Sequence, residues 1–257
     1  MSPFVATLAT TAAVFVGLWL VSLRTRDVSI VDIYWGPGFT VIATVAAWTG
    51  DGTDPRRLLV LALVALWGLR LGGYLLWRNH GRGEDFRYAA MRRRIGARFW
   101  LVSLVGVFLL QTVLMWIVSW PAQWAVAVPS APSLSLSDAV GVALWMVGLV
   151  FEAGGDLQLA RFQADQANAG AVMDRGFWRY TRHPNYFGDA CVWWGIYAVA
   201  CAVPGGWRTL PGPIVMTVLL RRVSGVPMLE RSLAKRRLGY ADYVARTSTF
   251  FPRPPRR

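Results

Sequence analysis

Arg179-Tyr180-Thr181-Arg182-His183-Pro184-Asn185-Tyr186-Phe187-Gly188-Asp189 is the point at which a cationic loop becomes an apolar helix. Two arginines and a histidine stand before Pro184, which suits the first turn of a helix because its missing N–H is an orphan there anyway. Asn185 and Asp189 follow four residues apart, a spacing that puts an amide and a carboxylate on one helix face. Then the chain turns apolar, through Ala190-Cys191-Val192-Trp193-Trp194-Gly195-Ile196-Tyr197. Cations beside the free N–H groups of a helix start make an anion site. A carboxylate at the mouth of a bilayer is costly without a use.

The whole chain has the same character. It has 257 residues, 55% of them hydrophobic, with 14 Trp, and its mean hydropathy of +0.39 marks an all-α, polytopic membrane protein. The first apolar run, residues 4–23, has no basic segment before it and reads as a spanning helix, not a cleaved signal. The net charge of +13 comes from 26 Arg and one Lys, Lys235. These lie between apolar runs and not on one domain face, which argues against a nucleic-acid partner. No obligate protein partner is evident. The preference for guanidinium points to phosphate. Cys191 and Cys201 lie in one helical run about 15 Å apart, too far to pair. With His80 and His183 the only histidines, neither a zinc nor a haem site is expected.

Seven spans are predicted, near 3–23, 28–49, 57–77, 98–120, 137–161, 186–204 and 207–223, followed by an amphipathic segment at 227–244 outside the membrane. Alternating the loops puts 23 of the 27 Lys and Arg on one side, in 24–27, 78–98, 161–185 and from 221 onward. Arg56, Arg57 and Arg208 fall on the other side, and Arg70 inside a span. That asymmetry predicts an outer N-terminus and a cytoplasmic C-terminus.

Asp32, Arg70, Glu152, Asp156 and Asp189 all fall in the cytoplasmic half of these spans, which predicts a polar cavity open to the cytosol. Gln111 lies deeper and is expected to make an interhelical hydrogen bond. Two further stretches matter. In Asp32-Ile33-Tyr34-Trp35-Gly36-Pro37-Gly38, a carboxylate and a phenol precede a sequence that loosens or kinks a helix. Arg78-Asn79-His80-Gly81-Arg82-Gly83-Glu84-Asp85-Phe86-Arg87-Tyr88 is basic and broken by glycine. Near the C-terminus, Glu230, Tyr240, Tyr243 and Arg246 are placed to close over a ligand.

These stretches bring a family into view. His183-Pro184-Asn185-Tyr186-Phe187-Gly188-Asp189 resembles the HxxNYxGD-type run of the intramembrane sterol reductases. The opening at 31–39 and the close from Glu230 to Ser248 look like bacterial members of the steroid 5α-reductase family. The resemblance is strongest over 179–251. It implies seven membrane helices in the bacterial inner membrane and NADPH bound from the cytosol. It also implies reduction of the conjugated C=C bond of a 3-keto-Δ4 steroid or a similar lipophilic enone.

Position by position, the resemblance makes Asn185 and Asp189 partners of the nicotinamide half and Asp156 a cofactor ligand. It gives phosphate to Arg82 and Arg182, and assigns Arg70 and Tyr74 to the cofactor site. Arg78, Glu152, Arg161, Tyr180, His183, Tyr186, Glu230, Tyr243 and Arg246 complete the cofactor set. The catalytic candidates are Asp32, Tyr34 and Trp67. Asp32 replaces a glutamate and is one methylene shorter. Trp67 stands where relatives have a tyrosine, and an indole cannot protonate a carbonyl. Tyr34, two residues from Asp32, points away from it on a regular helix. The proton donor is therefore left open. The alternative is a membrane methyltransferase resembling the isoprenylcysteine enzymes, which share Arg-His-Pro-x-Tyr, a later Glu and Gly-x-x-Tyr and would bind S-adenosylmethionine. A non-enzymatic lipid-binding protein is a third class, disfavoured by the buried carboxylates.

Overall fold

A computed structural model describes residues 2–52, 54–223, 225–226, 230 and 239–256. Among them there are helices and turns but no strand. The helices are α1 (Pro3–Thr25), α2 (Ile30–Thr49), α3 (Asp54–Asn79), α4 (Phe86–Ile95), α5 (Phe99–Ser103), α6 (Leu110–Val118), α7 (Trp120–Ala127), α8 (Leu136–Ala164), α9 (Pro184–Ala200), α10 (Pro211–Val218) and α11 (Tyr240–Arg246). Among the described residues five stretches are long and apolar enough to cross a membrane: α1, α2, α3, the run Phe86–Val118, and α8. The described residues are all-helical, as expected. Most of the amphipathic segment expected at 227–244 lies outside the described residues; within it, α11 is helical. The expected outer loop at 121–136 begins instead as a helix, α7.

Two compact units result, 1–135 with 199–209, and 136–198 with 210–257. In the first, α2 runs unbroken through Pro37. A proline there frees the carbonyl four residues back, Ile33, and needs room for its ring. Gly72 gives that room: a Cβ on it would lie 2.6 Å from the Pro37 ring and 3.2 Å from the Ile33 oxygen. One turn away, Gly36 and Gly68 meet backbone to backbone. Small residues four apart on α3 thus let two helices touch, as membrane interfaces favour. The buried interhelical amide is Gln123, not the expected Gln111: Gln123 accepts from the Thr7 hydroxyl at 2.6 Å. Arg56 is 2% exposed and donates to Ser130 Oγ and to the carbonyls of Ala131 and Ser133.

In the second unit the organising feature is a glycine ladder. Gly141, Gly148 and Gly155 repeat every seven residues on α8, two helical turns apart. Antiparallel to them run Gly195, Gly188 and Pro184 on α9. A Cβ on Gly195 would lie 2.6 Å from the Gly141 oxygen, one on Gly148 2.6 Å from the Gly188 oxygen, and one on Gly155 3.1 Å from Pro184. The crossing buries Glu152 and Asp156, at 3% and 5% exposure, against the first turn of α9.

Candidate functional site

The loop that opens α9 is held from two directions. From α8, the Trp178 indole donates to the Gly155 carbonyl at 3.0 Å and the Phe177 N–H donates to Gln158 Oε1 at 2.9 Å. From the C-terminal segment, the Ser248 carbonyl accepts from the Arg182 N–H and the Tyr180 carbonyl accepts from the Arg253 N–H. Thr181 Oγ1 donates to the Phe250 carbonyl at 2.9 Å.

Arg182 is the hub. Its Nε donates to Glu230 Oε1 at 2.8 Å, its Nη1 to the carbonyls of Val244 and Thr247, and its Nη2 to Thr249 Oγ1. All three nitrogens of the fork are engaged within the chain. The guanidinium expected to grip phosphate is instead the clasp between the α9 loop and residues 244–249. His183 lies beside it, 2% exposed, with Nε2 3.1 Å from the same Glu230 oxygen and its ring stacked on Tyr186 at 5.4 Å.

The charges follow from this packing. Burial raises Glu230, but the hydrogen bonds from His183 and Arg182 outweigh it and hold the carboxyl down at about 2. Burial lowers His183 below its ordinary 6.5, against the pull of Glu230. The pair is thus a neutral imidazole donating from Nε2 to a carboxylate. Burial, with Glu230 next in size, pushes the Tyr240 phenol up to about 12. Burial likewise raises Tyr243, whose hydroxyl donates to the Trp178 carbonyl at 2.6 Å. Arg246 pairs with Asp174 at 2.6 Å.

On α9 itself, Asn185 Nδ2 donates to Asp156 Oδ1 at 3.2 Å and its Oδ1 accepts from the Tyr186 N–H. Asp189 is buried one turn on, at 8% exposure. The structure therefore gathers Asp156, Asn185, Tyr186 and His183 at one helix start, with Glu230 and Tyr243 closing over it. Tyr180 is 43% exposed at the rim, and Arg161 is exposed in the last turn of α8.

The other unit holds the catalytic candidates. Asp32, in the first turn of α2, finds its partners outside its own helix. Arg87 Nη2 donates to its Oδ2 at 2.6 Å and the Tyr88 hydroxyl to its Oδ1 at 2.8 Å. The cation on Asp32 is Arg87, from α4. Arg87 is oriented in turn by Asp85, which accepts from its Nε at 2.8 Å, while the Asp85 N–H donates to Ser29 Oγ. Glu84 accepts from both Nε and Nη2 of Arg92 and from the Val28 N–H. Tyr88, 7% exposed, is the residue that sequence reasoning missed: it looked like one more side chain in a basic run. Its only signal was position, three residues after the Asp85 cap.

The remaining candidates separate. Tyr34 packs edge-on against Phe15 at 5.7 Å. Trp67 is wholly buried, edge-on to Phe39 at 5.5 Å, as a core residue of the α2–α3 crossing. Tyr74 lies beneath the Arg78 guanidinium at 5.8 Å and beside Trp77. Arg82 is exposed between Gly81 and Gly83, whose φ of 73° and 71° make the sharp turn that glycine allows.

The C-terminal segment also bounds a cavity of about 380 Å³, lined by residues from Val244 to Arg256 together with Arg182 and Arg221.

No solved structure matches the chain. It is 25% identical, over an alignment of 282 residues, to the uncharacterized protein C594.04c of Schizosaccharomyces pombe, covering 98% of this chain and 80% of that one. A family described as proteins of unknown function, DUF1295, matches residues 18–247, from within α1 to the residue that follows α11. The chain belongs to the DUF1295 family.

Proposed function

We propose that this protein is an integral membrane enone reductase of the steroid 5α-reductase type. It would reduce the conjugated C=C bond of a 3-keto-Δ4 steroid or a comparable lipophilic enone with NADPH. The observation that carries the reading is the Asp32–Tyr88 hydrogen bond at 2.8 Å. It supplies the acid–phenol pair that Trp67 cannot, and that Tyr34, turned to Phe15, does not. Seven spans are part of this reading, with α9 and the run from Pro211 through the π-helical turn Leu219–Val223 as two short ones. The N-terminus lies outside and the C-terminus in the cytoplasm.

The donor set fits a dinucleotide in part. Asn185 and Asp156 in the second unit offer an amide and a carboxylate that suit a carboxamide or ribose hydroxyls, and the first unit, taken by itself, offers phosphate the exposed forks of Arg78 and Arg82. Arg182 does not, because its fork is already used. NADPH, when bound, supplies the hydride. The chain supplies the proton and holds the charge. The Tyr88 O–H, held by Asp32 Oδ1 in this structure, would turn to the substrate carbonyl and give up its proton there, and the Arg87 guanidinium, 5.3 Å from the Tyr88 ring, would offset the negative charge left on the phenol oxygen. Donors fixed where charge develops on the carbonyl lower the barrier more than they aid ground-state binding.

The Arg182–His183–Glu230 cluster is common to this reading and to the methyltransferase one, so it does not separate them. Purified protein, incubated with 4-deuterated NADPH and a 3-keto-Δ4 steroid, should give a saturated ketone deuterated at the β-carbon. Thermal stabilisation by S-adenosylmethionine and not by NADPH would replace this reading with the methyltransferase.

A further inference from the structure

The described residues that line the cavity beneath the C-terminal segment carry an excess of positive charge. Five arginines line it: Arg182, Arg221, Arg246, Arg253 and Arg256. Two are paired, Arg182 with Glu230 and Arg246 with Asp174. Arg221 lies over the rings of Phe250 and Phe251, 5.3 Å from each. Arg253 and Arg256 are tied down by their backbones, through N–H bonds to the carbonyls of Tyr180 and Arg246, and both residues are exposed. Among the described residues that line it none is acidic. Like charges held around a concave space repel unless an anion joins them. Guanidinium forks with Thr and Ser hydroxyls are the donor set that fits phosphate oxygens.

We propose that this cavity binds a phosphate group carrying two or more negative charges, borne by a nucleotide or by an anionic phospholipid headgroup. The site is distinct from the Asn185–Asp156 pair and does not depend on the reductase reading. Backbone bonds hold the two terminal arginines in place, so the site is built before the anion arrives and their side chains are free to bind it.

The test uses the full chain in an uncharged detergent. Sodium pyrophosphate, with ionic strength matched by sodium chloride, should raise the thermal midpoint of the unaltered protein by several degrees. The rise should vanish in Arg253→Gln/Arg256→Gln and persist in Arg93→Gln/Arg94→Gln, an equally exposed pair on α4. Without ligand the first variant should melt at or above the unaltered protein, since the change removes repulsion and no backbone bond. If that variant fails to fold, Arg221→Gln should show the same loss of response. Adenosine 2′,5′-bisphosphate and phosphatidic acid-doped micelles, with phosphatidylcholine as control, identify the source: whichever abolishes the further response to pyrophosphate carries the phosphate. No response to pyrophosphate beyond the salt control, or an equal response in the Arg253/Arg256 variant, would overturn the proposal.

Discussion

Arg182 Nε and His183 Nε2 converge on one oxygen, Oε1 of Glu230, at 2.8 and 3.1 Å. The carboxylate therefore holds both the clasp to the C-terminal segment and the tautomer of the histidine that stacks on Tyr186. Removing it leaves a guanidinium 7% exposed without its counter-charge, which typically costs about 3–5 kcal/mol. Glu230→Ala should cost on the order of 3 kcal/mol, read as a lowered thermal midpoint in detergent, and Glu230→Gln noticeably less. A Glu230→Ala protein as stable as the unaltered one would mean that the clasp is held by the carbonyls alone.

The same pair sets the acid response. Folding lowers His183 from 6.5, so the unfolded chain takes up a proton that the folded one refuses, and stability begins to fall as the pH drops below 6.5. Folding also lowers Glu230 from 4.5 to about 2. Its contribution is complete above 4.5 and is lost between 4.5 and about 2. Thermal midpoints measured against pH should show the first decline shrink in His183→Gln and the second shrink in Glu230→Gln.

Tyr88→Phe keeps the ring and deletes the donor. It should lower turnover of a 3-keto-Δ4 steroid roughly 10²-fold or more and leave stabilisation by NADPH unchanged. Asp32→Asn should lower turnover similarly and also cost about 1–3 kcal/mol of stability, because Arg87 loses a charged partner. A Tyr88→Phe enzyme with normal turnover would return the proton to Asp32.

Asn185→Ala should weaken NADPH binding by roughly 1–3 kcal/mol, the cost of unpaired polar groups. It should also lower apo stability by about 1 kcal/mol, because the amide is bonded to Asp156. Titration of the purified variant against NADPH reads the first, and a melt without cofactor the second.

Gly188→Ala should destabilise by at least about 1–3 kcal/mol, since the new methyl would meet the Glu152 nitrogen at 2.5 Å and rigid backbone cannot yield. Gly73→Ala, where a Cβ meets nothing within 4 Å, should be neutral or stabilising by up to about 1 kcal/mol. Equal effects at the two positions would show that the ladder is not a close contact.

The all-helical class and the α9 helix start were readable because hydropathy and capping are local properties of a short window. Asn185 beside Asp156, and Glu230 over His183, were legible as candidates because polar groups in apolar runs stand out. What the residues could not disclose is which groups meet. Arg87 and Tyr88 reach Asp32 across 55 and 56 positions, and nothing in a basic run distinguishes a partner from a topology signal. Arg182 matched a phosphate-binding pattern, and only the fold shows carbonyls 62 to 65 residues away occupying its Nη1. Trp67 was placed by analogy in a catalytic slot, whereas the glycine contact between α2 and α3 makes that position core.

Arg182 also imposes an order of events during synthesis. Its ligands Val244, Thr247 and Thr249 are made more than 60 residues after it. Until they leave the ribosome, this cation has no carbonyls to replace its water, and desolvating a charge without partners is costly. The α9 loop therefore cannot reach its final form until residues 244–249 have emerged. Nascent chains arrested before Thr247 should remain cleavable by protease at residues 175–182, and chains released past Thr249 should not.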